Sequence, residues 1–377
     1  MAEQPNSAEN QAESALAAAA RGGRAQRPSR LRALAKRLGL HLVTTDALTI
    51  RRRGSGRGFA YVRSDGSPLR DQNEIRRLAS LAVPPAYHDV CYAEDPAAHL
   101  QAIGRDDAGR LQYRYHPAWE KVRETEKARR LERLVDVLPK IRRSVGQHLA
   151  GSEPSRELAL AAVIELVARS GIRPGTESYA RMRGTRGAAT LLKSNVSVEK
   201  DAVVLCFRAK GGKVVCKEFR APRLAEVIEL LRKLPGRRLF QYRNGEGTLR
   251  TVTAREVNGF LREIAGVKIS LKDFRTLLAS AAVLETLARQ SPAASARQRR
   301  RQVLEAVRAV AEDLDNTPTV CRRSYVHDTV VTAFEDGVLE NFADALRRNR
   351  SPLRREQLLA RVMAIASESS QGRGRAG

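Results

Sequence analysis

Val196-Ser197-Val198-Glu199-Lys200-Asp201-Ala202-Val203-Val204-Leu205-Cys206-Phe207-Arg208-Ala209-Lys210-Gly211-Gly212-Lys213-Val214-Val215-Cys216-Lys217-Glu218-Phe219 decides how this chain is read. Its β-branched runs, 196–198, 203–207 and 214–219, are separated by tight polar connections and predict a three-stranded sheet. The second connection carries Lys210 and Lys213. A lysine projected from a hairpin tip can enter a groove and donate a proton; it can equally be a solvated turn residue, and the stretch alone leaves both open. A phosphate-cradling GxxxxGK[ST] loop would need Gly at position 207, where Phe207 stands, and Ser or Thr at 214, where Val214 stands. ATP binding therefore has no support.

Around this sheet the pattern is helical. Leu160, Val163, Ile164 and Val167 recur at i, i+3, i+4 and i+7, and Val303, Val307, Val310 and Leu314 trace a similar stripe. Before His116-Pro117 the signal is different. Leu48 to Ile50 and Phe59 to Val62 read as strands, Asn73 to Leu81 as a short helix, and Leu100 to Ile103 with Leu111 to Tyr115 as a hairpin around Asp106-Asp107-Ala108-Gly109. The expected organisation is a disordered basic tail over 1–45, a β-rich domain over 46–117, a helical domain over 118–350 and a second basic tail over 351–377. Gln290 to Gln302, rich in Arg, Ser and Ala, reads as a mobile loop. The fold class is α+β.

The 377 residues carry 68 Lys plus Arg against 42 Asp plus Glu, a formal net charge of +26. So large an excess favours a polyanionic partner, nucleic acid ahead of an anionic membrane surface. No apolar run is long enough to span a bilayer, and Ala15 to Ala20 follows Glu3, Glu9 and Glu13 instead of the positive stretch of a secretory signal. Cys91, Cys206, Cys216 and Cys321 show no paired metal spacing. They read as reduced core thiols of a cytoplasmic protein without a zinc site.

Five further residues have chemistry to offer. Arg173, in Ser170-Gly171-Ile172-Arg173-Pro174-Gly175, sits in a turn that could fix its fork for bidentate phosphate contact, or it neutralises a helix C-terminus. Lys272 and Arg275, three apart, could share one phosphate or form a solvated basic face. Asn316, before Thr317-Pro318, looks like a turn or helix cap. Tyr325 is an ordinary core residue in most settings, and a phenol pKa of about 10 makes it a poor nucleophile. A cationic pocket would favour the phenolate and stabilise the charge gained in phosphoryl transfer.

In the order Arg173, Lys210, Lys272-x-x-Arg275, Asn316 and Tyr325, the chain resembles the bacterial, poxvirus-like type IB DNA topoisomerases. The resemblance covers roughly residues 46–345, including Pro84-Pro85-Ala86-Tyr87-His88-Asp89-Val90 and Gly109-Arg110-Leu111-Gln112-Tyr113-Arg114-Tyr115. It implies a C-shaped clamp on duplex DNA, with a small β-rich N-terminal DNA-binding domain and a mainly helical catalytic domain of the type IB topoisomerase and tyrosine recombinase fold. It also implies relaxation of supercoils by transient single-strand cleavage through a 3′-phosphotyrosine, swivelling and religation, without metal, ATP or other cofactor. Arg173 and Arg275 would clamp the scissile phosphate, Lys210 would protonate the leaving 5′-oxygen and Tyr325 would attack. Asn316 stands where the poxvirus and eukaryotic enzymes have histidine and would serve as a transition-state ligand. Arg110, Gln112, Tyr113, Tyr115 and Lys272 would contact DNA; Tyr113 and Tyr115 share one strand face, which equally suits one side of a small core. A monomer acting in the cytoplasm on the nucleoid is expected. One departure is Leu277-Leu278-Ala279-Ser280, where the family pattern leads to an aromatic and a glycine soon after Thr276.

A tyrosine site-specific recombinase shares the tyrosine, both arginines and the catalytic fold. Recombinases usually carry His where Lys272 stands, and their N-terminal domain is a helical bundle. A non-enzymatic basic DNA-binding protein accounts for the charge but not for the ordered motifs. A metal-dependent nuclease would need an Asp, Glu and His cluster that the sequence lacks.

Overall fold

A computed structural model describes residues 30–56, 58–348 and 352–373. The chain forms two compact units, dividing between Lys127 and Ala128.

The first unit starts with helix α1 (Arg30–Arg37), followed by β1 (Ile50–Ser55), β2 (Gly58–Val62), α2 (Gln72–Ser80), β3 (His88–Tyr92), β4 (Leu100–Arg105) and β5 (Leu111–Tyr115). The strands make one antiparallel sheet in the order β2-β1-β3-β4-β5. Asp71 caps α2 by accepting from the Asn73 and Glu74 N–H groups, and Leu78 enters a core with Ile50, Tyr61, Val90, Tyr92 and Ala102. The hairpin around Asp106 forms as expected. Two strands depart from the expectation: β1 runs on through Arg51, Arg52 and Arg53, and β3 occupies a stretch whose pattern does not announce a strand. Arg52 explains part of this, since its guanidinium donates to the carbonyls of Val83, Pro84, Pro85 and Tyr87 and lies 4.1 Å from the Phe59 ring centroid.

The expected disordered tail over 1–45 needs correction. Residues 1–29 lie outside the described residues, but α1 is helical, and Ala35 and Leu40 are buried with Trp119 and Val122. Leu31, Leu34 and Leu38 supply the apolar stripe, which intervening arginines and lysines disguise. The tail's net positive charge lies in this helix: Arg21, Arg24 and Arg27 are balanced in number by Glu3, Glu9 and Glu13, whereas α1 contains Arg30, Arg32, Lys36 and Arg37 and no acidic residue.

Helix α3 (Pro117–Leu149) crosses the division. The second unit continues with α4 (Arg156–Ser170), α5 (Glu177–Arg183), the antiparallel sheet β6 (Val196–Glu199), β7 (Ala202–Arg208) and β8 (Val214–Arg220), then α6 (Pro222–Arg232), the ribbon β9 (Gln241–Arg243) and β10 (Leu249–Thr251), α7 (Ala254–Ala265), α8 (Leu271–Leu287), α9 (Ala296–Asp313), α10 (Pro318–Ser324), α11 (Asp328–Glu335), α12 (Ala343–Arg348) and α13 (Pro352–Arg373). The three-stranded sheet is the one the sequence predicts, and both helical stripes are buried. Helices α4 and α8 are apolar nearly all round and form the centre of the core.

Three sequence expectations are revised here. Residues 296–302 belong to α9, capped by Ser295, whose hydroxyl accepts from the Gln298 N–H, so the expected mobile loop is mostly helix. Much of the expected C-terminal tail is α13, whose Leu358, Leu359, Val362 and Met363 are buried, while Arg355 pairs with Glu285 and Glu356 with Arg142. Cys206 and Cys216 are not core thiols: antiparallel register places them opposite each other on an exposed face, where they form a disulfide. Among the described residues no helix is long and apolar enough to cross a membrane.

Candidate active site

Arg275 is the deepest charge in the second unit, 2% exposed. A buried guanidinium costs several kcal/mol unless its N–H groups find acceptors. Here Nη1 and Nη2 find the ends of two helices, while Nε has no hydrogen-bond partner among the described residues. Nη1 donates to the carbonyl of Gly171, the left-handed C-cap of α4, and Nη2 donates at 2.9 Å to the carbonyl of Leu314, the C-cap of α9. Helix C-termini present unsatisfied carbonyls and the negative end of the macrodipole, so a cation is stabilised there. Helix α8 can carry Arg275 to this point because a capping box fixes its start: the Asp273 carboxylate accepts from the Ser270 N–H at 2.8 Å and from its hydroxyl at 3.0 Å.

Arg173 arrives from the turn after α4. Its Nη2 donates to Asn316 Oδ1 at 2.7 Å, and Asn316 Nδ2 donates at 2.9 Å to the Leu314 carbonyl that Arg275 also uses. A continuous chain of hydrogen bonds thus runs from Arg173 through Asn316 and Leu314 to Arg275. Asn316 is not the cap of the following helix. That role falls to Thr317, whose hydroxyl accepts from the Val320 N–H, with Pro318 in the first turn. The turn around Arg173 is closed by very near backbone approach. A Cβ on Gly187 would lie 2.5 Å from the Arg173 carbonyl oxygen, and Ala188 N–H donates to that oxygen at 2.8 Å.

Tyr325 ends α10 and is 8% exposed. The Arg275 guanidinium carbon lies 4.8 Å from its ring centroid. Burial pushes the phenol up, but the charges of Arg275, Arg173 and Lys272 outweigh it and hold Tyr325 below the ordinary phenol value. The sequence-predicted Arg173, Arg275, Asn316 and Tyr325 are therefore brought together. Lys272 is exposed one turn before Arg275, with its charge acting on the phenol.

Lys210 is exposed at the β7–β8 turn, and among the described residues no hydrogen bond or ion pair joins it to this cluster. The base of its hairpin is nonetheless anchored to both sides of the site. Arg186 N–H donates to the Arg208 carbonyl at 2.7 Å, two residues from the Ala188 bond to Arg173. Lys217 on β8 donates to the Asp313 carboxylate at 2.8 Å, at the end of α9. Lys217, Asp313, the Leu314 carbonyl and Ser280 are site-building elements that the sequence reading missed. The departure at Leu277-Leu278-Ala279-Ser280 reads in sequence as touching none of the proposed catalytic groups, whereas the Ser280 hydroxyl donates to the Tyr325 carbonyl.

In the first unit, the candidate DNA-contacting residues gather on the β4–β5 hairpin. Asp106 anchors them: its carboxylate accepts from Arg110 Nε at 2.7 Å and Gln112 Nε2 at 3.0 Å, and from the Ala108 and Arg110 N–H groups. The Arg110 side-chain bond leads in holding the Asp106 carboxyl down at about 2. Tyr113 and Tyr115 stack 6.1 Å apart at 13°, and Tyr115 lies 6.3 Å from Trp119. Both tyrosines are half-buried and pack against the unit's core, as the core-face reading of the strand expects.

Two family models match. Residues 117–350 match the eukaryotic DNA topoisomerase I catalytic core, and residues 58–106 match the bacterial DNA topoisomerase IB N-terminal domain. DNA topoisomerase 1B of Acanthamoeba polyphaga mimivirus is 28% identical over 294 residues, covering 76% of this chain and 88% of that protein. DNA topoisomerase 1B of Vaccinia virus (strain Copenhagen) is 22% identical over 288 residues, covering 75% and 88%. Among solved structures, the XerH site-specific recombinase bound to its difH substrate aligns with TM-score 0.32 and 16% identity, over 51% of this chain and 49% of the other.

Proposed function

The chain belongs to the type IB DNA topoisomerase family, and from that premise we propose that it relaxes supercoiled duplex DNA through a 3′-phosphotyrosine at Tyr325. The Tyr325 oxygen attacks a backbone phosphorus, the bond from phosphorus to the 5′-oxygen breaks, and Lys210 supplies the proton that the 5′-oxygen needs to leave. The phenol proton is lost to solvent or to a neighbouring base. Arg173 and Arg275 hold the phosphate and take up the charge that develops on its oxygens. Asn316 keeps Arg173 aimed, and a second Nδ2 hydrogen remains for a phosphate oxygen. After swivelling, the 5′-hydroxyl attacks the phosphotyrosine and the steps run in reverse. One phosphodiester is exchanged for another, so the chemistry needs no ATP.

The observation that carries this reading is the placement of the Arg275 guanidinium against the Tyr325 ring, in a site where Arg173 is held by Asn316. In the same reading the first unit binds DNA through Arg110, Gln112, Tyr113 and Tyr115, Lys272 adds a phosphate contact, and the protein works as a monomer on the nucleoid in the cytoplasm. Supercoiled plasmid incubated with the protein in EDTA without ATP should relax. Tyr325→Phe, which removes only the hydroxyl, should bind DNA yet form no denaturant-resistant adduct. Adduct formation by that variant would reject the assignment.

A further inference from the structure

Helix α8 grips the Tyr325 segment twice. Arg275 lies against the ring, and five residues later the Ser280 hydroxyl donates to the Tyr325 carbonyl at 3.1 Å while accepting from the His327 N–H at 3.0 Å. About 7.5 Å of helix rise separates the two positions, comparable with the reach of a tyrosine side chain from backbone to hydroxyl. One rigid element thus holds both the ring and the backbone of the same residue.

Serines inside helices commonly return their hydroxyl to the carbonyl four residues back. This chain has such bonds: Ser170 donates to the Leu166 carbonyl at 2.6 Å and Thr286 to the Ala282 carbonyl at 3.1 Å. Ser280 instead reaches across to a segment 45 residues on, and it is fully buried. The segment it holds is the link between α10 and α11. At the start of that link the Tyr325 N–H donates to the Cys321 carbonyl at 2.9 Å, and at its end the His327 ring accepts from the Thr329 N–H at 3.2 Å and caps α11. Without the Ser280 hydroxyl, a buried carbonyl and a buried N–H lose their partner together, and the backbone that presents the phenol is free to turn.

We infer that Ser280 is a positioning residue for the nucleophile, its hydroxyl fixing the backbone from which the Tyr325 phenol is presented. The inference rests on the reading of Tyr325 as the attacking group. Ser280 itself touches no substrate; it acts through Tyr325.

Single-turnover cleavage and religation by the full-length protein test this. Misplacing a nucleophile raises the one transition state crossed in both directions. Ser280→Ala should therefore slow cleavage and religation together, by roughly ten- to a hundredfold, with the ratio of the two rates and the final yield of adduct held near wild type. Ser280→Cys keeps the size and a weak donor and should fall between the two; it carries the test if Ser280→Ala does not fold. A lowered adduct yield formed at the wild-type rate constant would mean that Ser280 only supports folding, and unchanged rates would mean that it does nothing for the reaction; either result overturns the inference. Tyr325→Phe in parallel separates the two claims, since adduct formation by that variant would remove the nucleophile reading itself.

Discussion

Replacing Asn316 by alanine removes the acceptor that holds Arg173 and the donor that shares the Leu314 carbonyl with Arg275. The Arg173 bond is short, at 2.7 Å, and its donor is charged. Such bonds contribute about 1.5–3 kcal/mol. Arg173 is half-buried, which places the expected value toward the lower part of that range. At about 1.4 kcal/mol per decade, the cleavage rate constant should fall roughly ten- to thirtyfold. Ground-state affinity for DNA should hardly change, because the guanidinium keeps its charge and loses only its aim. The assay is single-turnover cleavage of a suicide substrate at saturating protein, with noncovalent binding measured separately in a Tyr325→Phe background. Asn316→Asp sharpens the test: it retains the acceptor, but its carboxylate competes with phosphate for Arg173, so it should cleave no better than alanine despite restoring the contact. An alanine variant within about twofold of wild type would refute the chain of bonds as a working part of the site.

Lys210→Ala should cripple cleavage of ordinary DNA by roughly 10²–10⁴-fold and be largely rescued by a 5′-bridging phosphorothiolate, whose sulfur leaves without a proton; if Lys213→Ala shows that pattern instead, Lys213 is the acid. Lys272 is one of the charges that hold Tyr325 below the ordinary phenol value. In Lys272→Ala the alkaline limb of the pH–rate profile, where rate rises as the phenol ionises, should therefore move to higher pH, and an unmoved limb would remove Lys272 from the site's electrostatics. Truncation after residue 350 removes Leu358, Leu359, Val362 and Met363 from the core, at about 1.5–3 kcal/mol for each buried side chain, so a melting temperature that survives the cut would contradict the packing of α13.

The sheet of β6, β7 and β8 and the stripes of α4 and α9 were legible because hydrophobic period and turn chemistry are local properties. Arg173, Arg275, Asn316 and Tyr325 each had a bland local reading and stood out only through their order along the chain and the resemblance that order carries; the fold brings the four together. What the sequence hid is what joins them. Leu314 enters the site through its backbone carbonyl, to which residue type is indifferent. Asn316 reads locally as a helix cap, and only the fold shows that Thr317 has that task and Asn316 faces Arg173. Helices α1 and α13 were lost for a related reason: their apolar residues are diluted by charge, and burial against distant partners such as Trp119 and Glu285 decides their state. Cys206 and Cys216 were misjudged because strand register, not spacing, sets them opposite each other, whereas Cys91 and Cys321 are free thiols as expected.

The near contact between Gly187 and the Arg173 carbonyl has a bearing on how variation in this chain should be read. Gly187 has an extended backbone that any residue could adopt, so conformational preference alone would permit replacement there. Even one methyl group would nonetheless press on the main chain of Arg173 and of Gly175, displacing the residue proposed to hold the phosphate without altering a single reactive atom. A map of mutational tolerance would therefore show a second site of low tolerance, silent in chemistry and severe in effect, and residues ranked by proximity to DNA would miss it.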